Sequence, residues 1–163
     1  MSVDRDIERI AVQERLIQFE GFDADSAWEL GTRLRAAALS RGVAMYIEVR
    51  LHHETVFVCA MKGSTPANAD WARRKRNTTE LLHRSSYAVG LGLQREGISL
   101  ESKMSVPPRD YASHGGGFPI RVKSCGVVGC ATVSGAPQRQ DHVLVTEVMA
   151  SFCGIPLADI ALD

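Results

Sequence analysis

The sequence predicts an α+β fold: an antiparallel sheet flanked by helices around one long basic helix. Three observations predict it. Segments of apolar residues at helical spacing alternate with segments of strict two-residue alternation. Consecutive strand segments are joined by short polar turns, which forces antiparallel pairing. The chain of 163 residues is 45% hydrophobic and 23% charged, the balance of a folded domain rather than a disordered tail.

Asp4 to Phe19 places Ile7, Ile10, Ala11, Leu16 and Ile17 near helical spacing. A second helix begins after Asp23 and Asp25, with Ser26 and Glu29 as a capping box, and stops at Gly42. Val43, Met45, Ile47 and Val49 then alternate with Ala44, Tyr46, Glu48 and Arg50. Beyond a turn at His52-His53-Glu54, Val56, Val58 and Ala60 alternate with Phe57, Cys59 and Met61, which completes a hairpin. After the break Gly63-Ser64-Thr65-Pro66, a single long helix is expected from about Asn68 to Leu91, then a short strand from Ile98 to Met104. Pro107-Pro108 opens a loop into Gly115-Gly116-Gly117. Phe118 to Val122 reads as a strand that Pro119 confines to an edge or a start, and Val127 to Val133 as another. Pro137, placed in the first turn, leads the last helix, Gln138 to about Phe152.

Lys plus Arg and Asp plus Glu number 19 each, so the formal charge is zero. A neutral chain does not coat nucleic acid or an anionic membrane with its whole surface, and no nucleic-acid or membrane partner is expected. The N-terminus, Met1 to Ile10, carries acids and arginines where a signal peptide would carry an apolar core, so the expected location is cytoplasmic. Cys59, Cys125, Cys130 and Cys153 contain no Cys-x-x-Cys pair and read as reduced structural thiols; no metal site is expected.

Two segments carry candidate chemistry. From Arg73 to Arg84 the long helix bears five cations and one acid. Arg73, Arg76 and Arg84 fall on a solvated face. Lys75 falls among Trp71, Thr78 and Leu82, and Arg74 at the border of that stripe. A cation on an apolar stripe must snorkel, pair with a carboxylate or meet an anionic ligand. In the second segment, Gly115, Gly116 and Gly117 permit close backbone approach or an anion-binding nest. Beside them His114 is a candidate metal or iron ligand or an acid–base group. Ser134 precedes the last helix, whose N-terminus favours anions. Asp141 and His142 point about 100° apart on that helix and do not form a dyad with each other.

The motifs Trp71-Ala72-Arg73-Arg74-Lys75-Arg76-Asn77, His83-Arg84-Ser85-Ser86, His114-Gly115-Gly116 with Phe118-Pro119-Ile120, and Gly126-Val127-Val128-Gly129 through Thr132-Val133-Ser134-Gly135 and Asp141-His142 together resemble one family. It is the branch of the haem-degrading-domain superfamily that holds the GlcG-like and HbpS-like proteins. The resemblance runs from about Phe19 to Phe152 and implies a profilin-like sandwich spanning 1–163 as one domain, with a helical extension over about 1–20, and a homo-oligomer. It departs at Ser113, Gly117 and Ala136, where the family pattern has Ala, Ser and Leu. Some distant relatives bind or slowly degrade haem, but their haem-binding residues do not transfer to positions here.

The expected function is the binding of a small anionic ligand, haem among the candidates, by Arg74, Lys75, His83, His114, Gly115, Gly116, Gly117, Phe118 and Ser134. An oxidative haem-opening enzyme is a second reading. An oligomeric adaptor that docks protein partners through its basic helix, without catalysis, is a third.

Overall fold

The computed structural model describes residues 3–162. Helices α1 (Val3–Leu16) and α2 (Ala24–Ser40) precede a hairpin, β1 (Tyr46–Leu51) and β2 (Glu54–Ala60). Then come α3 (Pro66–Leu82), α4 (Ser86–Glu96) and α5 (Leu100–Met104), strands β3 (Gly117–Val122) and β4 (Gly126–Ser134), and helices α6 (Gln138–Phe152) and α7 (Leu157–Ile160). The four strands form one antiparallel sheet in the order β2-β1-β4-β3, so β3, with its Pro119, lies at an edge.

The two faces of the sheet differ in chemistry because each strand alternates. Met45, Ile47, Val49, Phe118, Ile120, Val122, Ala131 and Val133 point to one side, where they bury against Leu30 and Leu34 of α2 and Leu144, Val145 and Met149 of α6. Glu48, Arg50 and Thr132 point to the other side, which α3 covers. There the contact is largely polar. Arg76 donates to both Glu48 oxygens at 3.0 Å, and Arg50 pairs with Glu80 at 2.8 Å. Such pairs fix the rotation of α3 over the sheet more than they stabilise it, since desolvation offsets most of the attraction.

Four expectations need correction. The single helix from Asn68 to Leu91 is two helices. His83 turns left-handed (φ 53°) and ends α3, and the Ser85 side chain caps α4 by accepting from Ala88 N at 3.1 Å. The Glu14 carboxylate accepts the Ser85 N–H at 2.7 Å, which anchors the break from α1. The expected strand from Ile98 to Met104 is helical from Leu100, because Ser99 and Ser102 cap one another. The box that starts α2 is Asp23 with Ser26, not Ser26 with Glu29. Pro137 is the N-cap of α6 rather than a residue of its first turn.

Candidate functional site

A cleft of about 270 Å³ opens where α3, the loop before β3, the end of β4 and the start of α6 meet. Asn68, Trp71 and Lys75 come from one stripe of α3, spaced three and four residues apart so that they stack along the helix. Ser134 ends β4, Gly135 and Ala136 form the turn, and Gln138 and Asp141 belong to the first turn of α6; His114 closes the loop side.

At the floor, Lys75 Nζ donates to Asp141 Oδ2 at 2.7 Å and to Val133 O at 3.2 Å. Lys75 is 3% exposed and Asp141 1%. Asp141 Oδ1 accepts the Ala136 N–H at 2.9 Å, so the carboxylate also pins the turn. Burial lowers the Lys75 pKa, opposed by Asp141, and raises that of Asp141, opposed by Lys75 and by the backbone N–H groups. Each partner therefore holds the other in its charged form against the cost of desolvation.

Three basic groups converge here. The His114 ring meets Trp71 edge-on at 5.0 Å, and the Arg74 guanidinium lies 4.5 Å from the centroid of the same indole. Arg74 Nη2 donates to Pro108 O at 2.8 Å, while its buried Nε has no partner among the described residues. Partial burial lowers the His114 pKa, and the charges of Lys75 and Arg74 lower it further. At neutral pH the imidazole is uncharged, with a nitrogen lone pair to offer.

The glycines serve close approach. A Cβ on Gly115 would lie 2.1 Å from Gln138 O, and one on Gly117 2.6 Å from Thr79 Oγ1. Gly116 has φ +130°, and a Cβ there would lie 2.4 Å from Val133 O and 2.8 Å from Lys75 Nζ. Gly117 N donates to Ser86 Oγ at 3.0 Å and Gly115 N to Gln138 Oε1 at 3.4 Å. Those two N–H groups thus face the protein's own side chains, not an open anion nest.

Of the residues anticipated from the sequence, Lys75, His114 and Ser134 line the cleft, Arg74 borders it through Trp71, and Gly115 and Gly116 shape its wall. Two do not join it. Phe118 points to the opposite face of the sheet, 1% exposed in the core, because β3 alternates. His83, the exposed end of α3, lines a separate hollow with His52, His53 and Glu80. Sequence reasoning missed Asp141 as the partner of Lys75. The signal was available: Asp141, Leu144, Val145 and Val148 follow helical spacing, so an acid sits on the apolar stripe of α6 just as a cation sits on that of α3.

Asp141 and His142 do diverge. His142 is fully buried on the far side of α6, with Nε2 2.7 Å from Gln13 Oε1. Gln13 Nε2 donates to Ile160 O at 2.7 Å, which leaves Oε1 as the acceptor and puts the proton of His142 on Nε2. The cations of α3 are likewise engaged: Arg73 with Asp70 and Asp110, Arg76 with Glu48. Arg84, just after the helix, pairs with Glu14. The basic helix is therefore not an open cationic surface.

No helix among the described residues is long and apolar enough to cross a membrane, and no three of their His, Cys, Asp and Glu side chains are arranged to hold a metal ion. Comparison with known proteins places this architecture. A family model described as haem degrading protein HbpS-like matches residues 22–150. A UPF0303 protein of Azotobacter vinelandii is 50% identical over 163 residues, covering 100% of this chain and 98% of its own. A UPF0303 protein of Acidobacterium capsulatum is 48% identical over 162 residues, 99% of this chain and 98% of its own. Among solved structures, the Ybr137w protein superposes with a TM-score of 0.81 at 25% identity, over 91% of this chain and 87% of its own. Klebsiella pneumoniae protein ORFY gives 0.70 at 20% identity, over 85% and 95%. A PduOC:heme complex gives 0.66 at 17%, over 76% and 89%. The last two share the fold alone. Because the family model covers most of the sequence and UPF0303 proteins align along its whole length at about half identity, this chain belongs to the HbpS-like haem-degrading protein family.

Proposed function

We propose that the cleft between α3 and α6 binds a small anionic ligand. The observation that supports this reading is that Lys75 and His114 line a cleft whose one acid, Asp141, is already paired with Lys75, with Arg74 beside them over the Trp71 ring. Each side chain has a distinct task. Trp71 offers an apolar wall, Arg74 a guanidinium charge stacked against that wall, and His114 a neutral imidazole at the mouth.

Haem is the candidate that the family and the heme-bound structural neighbour favour. The donor set fits it: His114 would ligate the iron and Arg74 would meet a propionate. The volume of about 270 Å³ lies just under the ~300–1,000 Å³ of ordinary ligand pockets. When bound, haem would supply a redox-active iron, and His114, Arg74 and Trp71 would hold it.

The protein is expected to do this in the cytoplasm as a homo-oligomer. Support for self-association comes from β2, an edge strand whose Val58 is 53% exposed, and from Trp28, 65% exposed beside Phe57. No structural observation favours a docking role for the basic helix, whose cations have intramolecular partners.

A spectroscopic titration tests the reading. Haem added to the wild-type protein should give a saturable Soret shift. His114→Ala should abolish the ligation signature, and Arg74→Ala should weaken binding about tenfold, or ~1.4 kcal/mol. Titrations that coincide in wild type and both variants would remove haem from this cleft.

A further inference from the structure

Lys75 places a primary amine at the floor of the cleft, and anion binding does not exhaust its chemistry. Its Nζ spends two of three donor positions, on Asp141 Oδ2 at 2.7 Å and Val133 O at 3.2 Å. A carboxylate at hydrogen-bonding distance is a built-in acceptor for an ammonium proton, and Asp141 is itself held in place by the Ala136 N–H. Gly116 matters for the same atom: any side chain there would begin 2.8 Å from Nζ. Though both side chains are buried, the pair stands at the base of a solvent-reaching cleft.

We propose that Lys75 is a carbonyl-trapping amine. On this view the cleft takes a small carbonyl acid, a 2-oxo acid or an aldehyde-bearing carboxylate, and Lys75 forms a reversible iminium with its carbonyl carbon. The inference rests on the anionic-ligand reading above and names the ligand class. The ligand carboxylate lies beside His114, within the field of the Arg74 charge stacked on Trp71, and its carbonyl carbon reaches Nζ. Asp141 takes one proton from the ammonium and the freed amine pair forms the N–C bond; that proton and a second one from the carbinolamine nitrogen then go to the oxygen, which leaves as water as the nitrogen pair closes the C=N bond. The balance is R-NH3⁺ plus O=C giving R-NH⁺=C plus water, with no oxidant or reductant. Burial, which disfavours the charged amine, works in the same direction.

The other lysines, Lys62, Lys103 and Lys123, are all exposed and act as internal controls. The wild-type protein is incubated with glyoxylate and cyanoborohydride, which reduces any iminium to a stable carboxymethyl amine, and the modified lysine is located by peptide mass mapping. A parallel NMR titration uses glycolate, which has the carboxylate but no carbonyl. The inference expects Lys75 to be modified at least about tenfold faster than any surface lysine, and glycolate to compete. Labelling that follows exposure, with Lys75 slowest, overturns it. If glycolate binds at the cleft while Lys75 stays unmodified, the amine chemistry falls and the anion site stands. If glycolate and glyoxylate both fail to shift cleft resonances, both readings fall.

Discussion

Lys75 and Asp141 stand 66 positions apart in the chain, on different helices, yet their charged atoms lie 2.7 Å apart beneath the cleft. The pair ties α3 to α6 across the end of the sheet, and through the Ala136 N–H it also fixes the turn that shapes the mouth of the site. Fold and candidate site thus share one ion pair.

Breaking that pair from one side leaves a buried charge without its counter-charge. Lys75→Met or Asp141→Leu alone should cost about 3–5 kcal/mol. The double variant should recover most of that loss, since removing both charges removes the desolvation cost as well. Urea unfolding of the four proteins measures the coupling. Equal, additive losses would show that the two charges do not stabilise one another.

His142 makes a second prediction, about acid. Burial pushes its folded pKa down to about 3 from the ordinary 6.5. The unfolded chain therefore binds a proton between those values that the folded chain refuses. Its full contribution to stability is present above pH 6.5 and is lost as pH falls towards 3, at about 1.4 kcal/mol per pH unit. In His142→Gln the slope of unfolding free energy against pH over this window should fall by that amount. An unchanged slope would contradict the buried, neutral imidazole.

The fold was legible in the sequence wherever one signal dominated. The last helix, Gln138–Phe152, matches because Pro137 sets its start and a continuous apolar stripe carries it to Phe152. The break after α3 was not legible in the same way. Leu81, Leu82 and Val89 continue a helical pattern across it, and what stops the helix is the left-handed His83 and the Ser85 cap, which Glu14 reinforces from a distant helix. Ile98 to Met104 was misread because an alternating pattern only seven residues long cannot outweigh two mutually capping serines. In the site, Lys75 was legible as a cation out of place and Asp141 as an acid on the apolar stripe of α6; that the two meet was not, because which stripes face each other is decided by how the helices pack and not by local spacing. His83, expected within the long helix, and His114, in the loop before the glycines, were both candidate ligands, and the structure puts only His114 at the cleft.

The triple glycine predicts a steric result. Gly116→Ala would place a methyl 2.4 Å from Val133 O in a backbone conformation (φ +130°) that side chains rarely adopt. The strain alone should cost about 1–3 kcal/mol, and the methyl should displace Lys75 Nζ. Thermal unfolding measures the first effect. A variant as stable as wild type would mean that the loop does not approach β4 and α3 so closely.

Cysteine reactivity checks the burial pattern independently. Burial pushes the Cys130 thiol up to about 12 and Cys153 up to about 11, whereas Cys125 is exposed. A thiol reagent at mildly alkaline pH should label Cys125 first and leave Cys130 untouched until the protein unfolds. Early modification of Cys130 in the native protein would contradict its place on the covered face of β4.

His114 gives the candidate site a pH signature. Its pKa lies below 6.5, lowered by burial and by Lys75 and Arg74. Protonation on acidification adds a third cation, so a simple carboxylate should bind more tightly as pH falls through that value. Iron ligation needs the neutral ring and should weaken over the same range. Opposite pH trends for glycolate and haem are expected; parallel trends would remove His114 from one of the two roles.

The central claim, that the α3–α6 cleft is the anion site, is tested most directly by two-dimensional amide NMR during a glycolate titration. The account predicts saturable shifts confined to Gly115, Gly116, Ser134, Gly135 and the first turn of α6, reduced in Arg74→Ala. Shifts centred instead on the hollow of His52, His53 and His83, with the cleft resonances unmoved, would contradict it.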